Sequence, residues 1–280
     1  MPGFVNYNGT IINCDVPVIT AQDQSYRYGY GLFETMKVVS EKIVMAGLHF
    51  ERLFRSCSLL QFRVPEFITR ENLENQVLQL CKKNDCEKLG RIRLSLSGGS
   101  GGLYDVAEGF QYLIECWSLQ DSVNKLNENG LMIDVFPGAR KSCDRFSNLK
   151  SANFLPYVMA AKYAKEKGLN DCLVLNAHER ICDATSANIF WIKDRQLFTP
   201  PLSEGCVAGV MRRYLMQSLQ GTRHKVQERS CEIKDLENAD EVFLTNAINN
   251  IRWVKQFRNC LYKTKISTDL FKDLVIDLHK

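Results

Sequence analysis

Residues 181–212 of this 280-residue chain are ICDATSANIFWIKDRQLFTPPLSEGCVAGVMR, and this stretch does most to decide the fold. Short apolar runs between polar turns predict strands over ICDA, NIFWI and RQLFTP. The segment TPPLSEG predicts a turn, and the run from Gly209 to Gln220 predicts a helix. A glycine that opens a helix lets backbone N–H groups and the positive helix end face an anion, although a plain helix start has the same sequence.

Two ionisable side chains near this stretch allow a catalytic interpretation. Lys150 lies in a polar turn of small residues, directly before the apolar helical run FLPYVMAAKYA (154–164). A solvated lysine in a first helical turn is the ordinary explanation, but an amine held in a pocket can lose its proton and act as a nucleophile or a base. Asp183 likewise either caps a turn or faces a cationic group in a pocket.

The composition is that of a globular protein, and it narrows the choice of partner. Hydrophobic residues make up 45% and charged residues 24% of the chain, which is ordinary for a soluble protein. The net charge is +4, but lysine and arginine are scattered, so a small anionic substrate is a better expectation than nucleic acid. Because the N-terminus has no signal-peptide pattern and no apolar run reaches the length of a membrane span, we expect a cytoplasmic protein with no membrane partner.

The cysteines favour neither a disulfide framework nor a metal site. There are eleven of them, an odd number, and no CxxC motif occurs. The closest pair, Cys81 and Cys86, has no matching second pair and no nearby histidine. We therefore expect buried, reduced thiols and no metal.

The order of apolar patterns predicts a mixed α/β (α+β) chain in two domains. Residues 1–117 form a small N-terminal domain, 118–127 a polar linker and 128–280 a larger C-terminal domain. In the N-terminal domain the patterns predict a hairpin at Asn8-Gly9, strands over 32–39, 42–47, 91–99 and 110–119, and helices over 48–62 and 69–84 with Thr69 as N-cap.

Six sequence blocks, taken in order, resemble the class IV aminotransferase family. They are YGYGLFET (28–35), LHFERL (48–53), the Lys150 segment, ICDATSANIF (181–190), TPPLSEG with CVAGVMR (199–212), and DEVFLTN (240–246). The resemblance covers nearly the whole chain. It implies a two-domain fold type IV enzyme, similar to D-amino acid aminotransferase, with pyridoxal 5′-phosphate (PLP) in a cleft between the domains and bound mainly by the C-terminal domain.

The resemblance also implies roles for individual residues. Lys150 looks like the Schiff-base lysine and acid–base catalyst, and Asp183 like the catalytic carboxylate that holds the pyridine nitrogen. The other implied cofactor-binding residues, which would bind the phosphate, are Arg52, Val210, Met211, Thr245, Asn246 and Ala247. The implied substrate-binding residues are Tyr28, Phe33, Thr35, Arg91, Arg93 and Phe154. The family also implies a homodimer that acts on small amino acids and oxo acids.

Three positions depart from the family pattern. Asp183 is shorter than the usual glutamate, Phe154 replaces a common tyrosine, and Met211 replaces a common threonine. Other features resemble aminodeoxychorismate lyase, a relative in the same family: GVMR, the Asn246-Ala247 pair, the GGSGGLY loop (98–104) and Thr35.

The glycine-rich loop lacks the arginines often found there in the lyases. The expected reaction is therefore amino-group transfer between an α-amino acid, most simply a branched-chain one, and a 2-oxo acid. The alternative is aminodeoxychorismate lyase, which releases pyruvate and p-aminobenzoate. A third possibility is a PLP-binding protein without turnover.

Overall fold

The computed structural model describes residues 3–105 and 109–279. The chain divides into two compact units. The first unit runs to Asp121 and also takes in Lys150–Asn153, and the second comprises Ser122–Leu149 and the chain from Phe154 onward. The four-residue segment that carries Lys150 thus belongs to the first unit, although its neighbours in sequence belong to the second.

The first unit is an antiparallel sheet with two long helices. In chain order its elements are β1 (Phe4–Tyr7), β2 (Thr10–Asn13), α1 (Gln24–Tyr28), β3 (Gly31–Val39), β4 (Lys42–Ile43), α2 (Ala46–Leu59), α3 (Arg70–Lys83), β5 (Leu89–Ser97) and β6 (Gln111–Ser118). Among the described residues the sheet has six strands, in the order β2-β1-β6-β5-β3-β4. Strand β3 pairs with β5 along its whole length, which makes these two strands the centre of the unit.

Local sequence explains most of these boundaries. The Asn8-Gly9 turn joins β1 to β2 with both residues at positive φ, as the hairpin signal predicts. The Thr69 side chain accepts the N–H of Asn72 and caps α3. The predicted strand over 42–47 is wrong beyond Ile43, because Met45 takes a left-handed conformation with φ 55° and α2 begins at Ala46.

Residues 150–153 extend the sheet along the free edge of β3. The N–H of Phe33 donates to the carbonyl of Lys150 at 2.9 Å, and the N–H of Ala152 donates to the carbonyl of Gly31 at 2.8 Å. A Cβ on Gly31 would lie 2.8 Å from the Ser25 side chain, so glycine is needed for this close approach. The predicted turn is present at 145–148, and the residues that follow it are joined to β3 by these two hydrogen bonds and by an isolated antiparallel bridge between Leu32 and Ser151.

The second unit is built on a larger mixed sheet. In chain order its elements are β7 (Leu131–Lys141), α4 (Leu155–Glu166), β8 (Asp171–Asn176), β9 (Ile181–Ala184), β10 (Asn188–Lys193), β11 (Gln196–Thr199), α5 (Val210–Ser218), β12 (Val226–Glu228), α6 (Ile233–Glu237), β13 (Glu241–Asn246), β14 (Asn250–Phe257), β15 (Cys260–Leu261) and α7 (Ile266–Leu270). The strand order is β12-β11-β10-β13-β14-β7-β8-β9, with β15 beside β14. The pairs β14–β7, β7–β8 and β11–β12 are parallel, and the others are antiparallel.

Single helical turns complete the chain. They are the 3-10 segments Asp121–Asn124, Leu202–Glu204 and Ile276–His279, and the π-helical segment Phe271–Val275. Within residues 3–105 and 109–279, no helix combines the length and the apolar character that crossing a bilayer requires.

The strands predicted at 181–199 contribute Ile181, Ala184, Ile189, Trp191 and Phe198 to the core of the second unit. Apolar side chains of β8, β10, β13 and β14 pack there, including Leu173, Ile189, Trp191, Val242 and Val254, each at most 1% exposed. All eleven cysteines are free thiols and eight of them are buried, as expected for those eight, whereas Cys14, Cys143 and Cys260 are partly exposed.

Candidate active site

One face of β3 collects the predicted substrate residues and the lysine. Side chains alternate along a strand, so Phe33 and Thr35 share a face while Glu34 points to the opposite one. Lys150 Nζ lies 4.5 Å from the centroid of the Phe33 ring, and the guanidinium carbon of Arg93 lies 4.0 Å from the same centroid. The structure thus brings Lys150, Phe33 and Arg93 together within the first unit.

Two arginines occupy this face. Thr35 lies directly opposite Arg93 in the β3–β5 ladder, and Arg91, two residues earlier, faces the same way. Arg93 Nε donates to Ser95 Oγ at 3.1 Å, whereas the Arg91 guanidinium lies 5.8 Å from the Trp117 ring centroid. Both guanidinium groups are therefore candidates for binding substrate carboxylates.

The opposite face of β3 carries a buried ionic cluster with α2. Arg52 donates to both oxygens of Glu34, at 2.7 and 2.5 Å, and His49 Nδ1 lies 2.7 Å from Glu34 Oε2. Burial alone would raise the pKa of Glu34, but the Arg52 charge and the His49 hydrogen bond outweigh it and lower that pKa to about 2. Glu34 therefore holds the predicted phosphate arginine as a fixed cation.

His49 links this cluster electrostatically to Lys150. Its pKa is lowered mainly by burial, and the positive charges of Arg52 and Lys150 lower it further, against the opposing effect of Glu34. The second ring nitrogen, Nε2, is buried and has no hydrogen-bond partner among the described residues. Burial and the charges of Arg52 and Lys150, both of which the family resemblance assigns to the cofactor, therefore favour the neutral form of His49.

In the second unit, Asp183 lies on β9 at the centre of a polar network. Its Oδ2 accepts the Tyr157 hydroxyl and the Val207 N–H, each at 2.8 Å, and Lys141 Nζ lies 3.4 Å away. Its Oδ1 accepts the Asn188 amide at 2.9 Å. Burial raises the pKa of Asp183, while Lys141, the Val207 N–H and the Tyr157 hydroxyl oppose the rise.

Asn188 links Asp183 to Thr245 on β13 and to Gly209 at the start of α5. It lies opposite Thr245 in the β10–β13 ladder, and its side-chain oxygen lies 1.9 Å from where a Cβ on Gly209 would be. Only glycine fits at that position, which is the N-cap of α5. Thr245 Oγ1 is buried and has no hydrogen-bond partner among the described residues.

The first residues of α5 supply backbone donors. Helix geometry leaves the N–H groups of Val210 and Met211 without intrahelical acceptors, and the helix dipole makes this end positive. Ala247 follows directly after Asn246, whose side-chain oxygen accepts the N–H of Ile248 at 3.0 Å and that of Asn249 at 2.8 Å. The Asn246 side-chain oxygen therefore fixes the turn after β13, and the side-chain N–H groups and the backbone of Asn246 stay candidates for binding phosphate.

The two remaining predicted residues are aromatic. Phe154 precedes α4, and its ring centroid lies 4.4 Å from that of Tyr157. Phe154 thus packs on the residue that binds Asp183. Tyr28 ends α1 and is 45% exposed, so nothing in the first unit covers it.

These groups match the chemical parts of PLP. The buried Thr245 hydroxyl, which has no hydrogen-bond partner among the described residues, and the N-terminus of α5 suit a phosphate. The Arg52 guanidinium, which Glu34 holds in place, also suits a phosphate. In the second unit the buried Asp183 carboxylate suits a pyridine nitrogen, and in the first unit the Lys150 amine suits an aldehyde. The residues present fit the cofactor.

Sequence patterns did not identify five polar residues of the site. They are Glu34, His49, Lys141, Tyr157 and Asn188. Each touches a partner far along the chain or on another element, so no local pattern marks it. Four of them, Glu34, His49, Tyr157 and Asn188, fall inside the matching blocks, whereas Lys141 lies outside every block.

Comparisons with known proteins match most of the chain to one family. The family model for amino-transferase class IV matches residues 31–257. Aminodeoxychorismate lyase from Vibrio harveyi is 29% identical over 81% of this chain and 82% of its own length. A putative branched-chain-amino-acid aminotransferase from Methanocaldococcus jannaschii is 26% identical over 87% of this chain and 84% of its own.

A solved structure agrees over almost the full length. The putative 4-amino-4-deoxychorismate lyase of Legionella pneumophila superposes with a TM-score of 0.85 at 28% identity, covering 95% of this chain and 97% of that one. The mixed α/β architecture is thus that of fold type IV enzymes. The chain belongs to the class IV aminotransferase family, a family of PLP-dependent aminotransferases and lyases.

Proposed function

We propose that the protein is a PLP-dependent enzyme in which Lys150 binds the cofactor and moves the proton at the substrate Cα. The observation that carries this proposal is the shared face of Lys150, Phe33, Thr35 and the two β5 arginines. An amine at that place can reach a substrate whose carboxylates the arginines bind.

Each group has a chemical task. PLP, when bound, withdraws electrons from the Cα of an amino substrate and makes its proton removable. Asp183 holds a positive charge on the ring nitrogen, and its four donors favour its ionised form despite its burial. In the second unit Thr245 and the α5 N-terminus suit the phosphate, in the first unit Arg52 offers a cation for it, and Lys150 accepts the Cα proton as a general base.

Among the family reactions, we propose aminodeoxychorismate lyase first. Its substrate carries two carboxylates, and Arg91 and Arg93 offer two cations on the lysine face. A further arginine, Arg27, donates to the carbonyl of Gly101 at 3.5 Å. It therefore places a cation beside the glycine-rich loop, which contains no arginine of its own. The Thr35 hydroxyl on the same face can donate a hydrogen bond to the departing oxygen. The names of the Vibrio and Legionella relatives support the same choice.

Amino-group transfer between an α-amino acid and a 2-oxo acid is the second candidate. Phe33 gives the lysine face an apolar surface that suits a branched-chain side chain, and the relative from Methanocaldococcus bears that name. In this reaction Lys150 would both remove and redeliver the proton, whereas in the lyase reaction the released enolpyruvate would take up a proton to become pyruvate. Either reaction uses a small substrate, and we propose that the protein acts as a cytoplasmic homodimer.

The two reactions differ in their need for a second substrate. The holoenzyme given aminodeoxychorismate alone should release pyruvate and p-aminobenzoate in equal amounts over many turnovers. Thr35→Val, which removes the hydroxyl but keeps the shape, should slow this release, and Thr35→Ser should restore it.

Two other results would contradict the lyase reaction. No pyruvate release, together with an amino acid that converts the cofactor to its amine form until an oxo acid arrives, would overturn the lyase in favour of amino-group transfer. Bound cofactor with neither reaction would contradict both.

A further inference from the structure

Three buried thiols converge where α3 ends against β6. Cys81 lies in the last turns of α3, Cys86 in the connection to β5, and Cys116 on β6. Their Sγ atoms all lie within 4.8 Å of one another, and each residue is at most 1% exposed. The sequence shows only the first pair, because the third thiol comes from a strand much further along the chain.

The backbone holds the first two thiols in place. The N–H of Cys86 donates to the carbonyl of Cys81 at 3.0 Å, after a turn in which Asp85 has a positive φ of 53°. A Cβ on Gly90 would lie 2.5 Å from the carbonyl oxygen of Cys86, so β5 closes tightly over this turn. The three sulfurs are thus positioned by three separate elements of a rigid unit.

Asn84 provides a second, independent observation. Its side-chain oxygen accepts the N–H of Phe4 at 3.0 Å, and its amide nitrogen donates to the carbonyl of Phe4 at 2.8 Å. This pairing with β1 fixes the orientation of the amide, so the same nitrogen presents an N–H to Cys116 Sγ at 3.2 Å. A donor aimed at sulfur stabilises a thiolate, and such outer donors commonly accompany metal-bound ligands.

We propose that Cys81, Cys86 and Cys116 form a three-coordinate site for a soft, thiophilic cation, monovalent copper. A metal–sulfur bond is about 2.3 Å, so three sulfurs around one ion in a plane are about 4.0 Å apart. The Sγ atoms, which lie within 4.8 Å of one another, can reach this planar arrangement by small side-chain rotations. Thiolates select soft ions such as monovalent copper.

The number of ligands excludes structural zinc and iron–sulfur clusters, which are the commoner occupants of cysteine sites. Structural zinc takes four ligands, and iron–sulfur clusters are held by four cysteines. Within the described residues the cluster contains three histidine, cysteine or acidic ligands and no fourth. Binding is an exchange in which three S–H protons leave to solvent and three S–Cu bonds form, with no electron transferred.

The test is a competition for copper on the full-length protein. The partly exposed thiols of Cys14, Cys143 and Cys260 are first alkylated with iodoacetamide on the native protein. Cu(I) is then titrated without oxygen against bicinchoninate. We expect the protein to withdraw a single equivalent, and X-ray absorption to show three sulfurs at about 2.3 Å.

Two variants make the test specific. Cys116→Ser should weaken copper binding by about 100-fold or more, whereas Cys57→Ser, which removes a buried thiol of α2 outside the cluster, should leave it unchanged. If Cys116→Ser does not fold, Cys86→Ser and the sulfur count of the unmutated protein decide the question.

Four results would overturn the proposal. They are no copper retained, equal retention by Cys116→Ser, preferential binding of Zn²⁺ with four ligands, or a disulfide within the cluster in protein purified under reducing conditions. The proposal does not depend on the proposed function, since the cluster lies on the helix side of the sheet and away from the lysine face.

Discussion

Lys150 is fixed to Phe33 by both its backbone and its side chain. Its carbonyl accepts the Phe33 N–H at 2.9 Å, and its Nζ lies 4.5 Å from the centre of the Phe33 ring. Adjacent residues of an edge strand alternate between faces, so this pairing directs the amine to the face that carries Thr35 and Arg93. A lysine in an ordinary first helical turn would have no such constraint.

The first prediction concerns Arg93. If it binds a substrate carboxylate, Arg93→Gln should raise KM by about 10- to 100-fold, because a charge-assisted hydrogen bond contributes about 1.5–3 kcal/mol. The turnover number should fall much less. Steady-state kinetics with the preferred substrate measure both quantities.

Two other arginine variants complete this experiment. Arg55→Gln, on the exposed side of α2, is the matched control and should have no effect on KM. Arg91→Gln should raise KM as well if the substrate has two carboxylates. An unchanged KM in Arg93→Gln would show that the substrate binds elsewhere.

A second prediction concerns Asp183. Asp183→Asn keeps the shape but removes the charge that holds the ring nitrogen protonated, so turnover should fall by about 10- to 100-fold while PLP stays bound. Asp183→Ala should also lower stability, by about 1–3 kcal/mol for each of the buried Tyr157 and Asn188 donors left without an acceptor. Absorbance of the bound cofactor, turnover and urea unfolding separate these effects.

The matched control for Asp183 is Asp171→Asn. Asp171 accepts the N–H and hydroxyl of Thr185 at 3.0 and 2.6 Å, so its loss should affect stability and leave turnover near normal. Full activity in Asp183→Asn would mean that another carboxylate serves the ring nitrogen.

A third prediction uses the pH dependence of stability. The pKa of Glu34 is lowered from 4.5 to about 2 in the folded protein. The ionised carboxylate therefore stabilises the fold at pH values above 4.5, and this stabilisation is lost as the pH falls toward 2. At about 1.4 kcal/mol per tenfold change in the protonation equilibrium, the contribution is on the order of 3 kcal/mol.

Glu34→Gln isolates this contribution. Urea unfolding of the two proteins should give a large difference in unfolding free energy at pH 7 and a small one near pH 2.5. A difference that stays constant over this range would contradict the assigned role of the Glu34 charge.

Short sequence patterns predicted the helix and strand boundaries that depend on neighbouring residues in the chain. The Asn8-Gly9 hairpin and the Thr69 cap are examples, since a turn or a cap involves residues only a few positions apart. The strand predicted over 42–47 failed because the packing of α2 requires a left-handed Met45 that no pattern of apolar residues reveals.

The candidate site could be predicted from the sequence at residues whose type the family reaction requires. Lys150 and Asp183 stood out because of their place in an ordered series of blocks. The partners of Asp183 did not, because Tyr157 lies on a different helix and Lys141 on a different strand, and only the fold brings them together. The Cys116 thiol was missed for the same reason.

We propose that Lys150 carries the cofactor, and the mass of the labelled peptide identifies the lysine that does so. The protein loaded with PLP is reduced with borohydride, digested and analysed by mass spectrometry. The cofactor mass should be found on the peptide that contains Lys150, should vanish in Lys150→Ala, and should persist in Lys162→Ala, which changes an exposed lysine of α4. Cofactor attached to another lysine, such as Lys141, or no attachment at all would contradict the account.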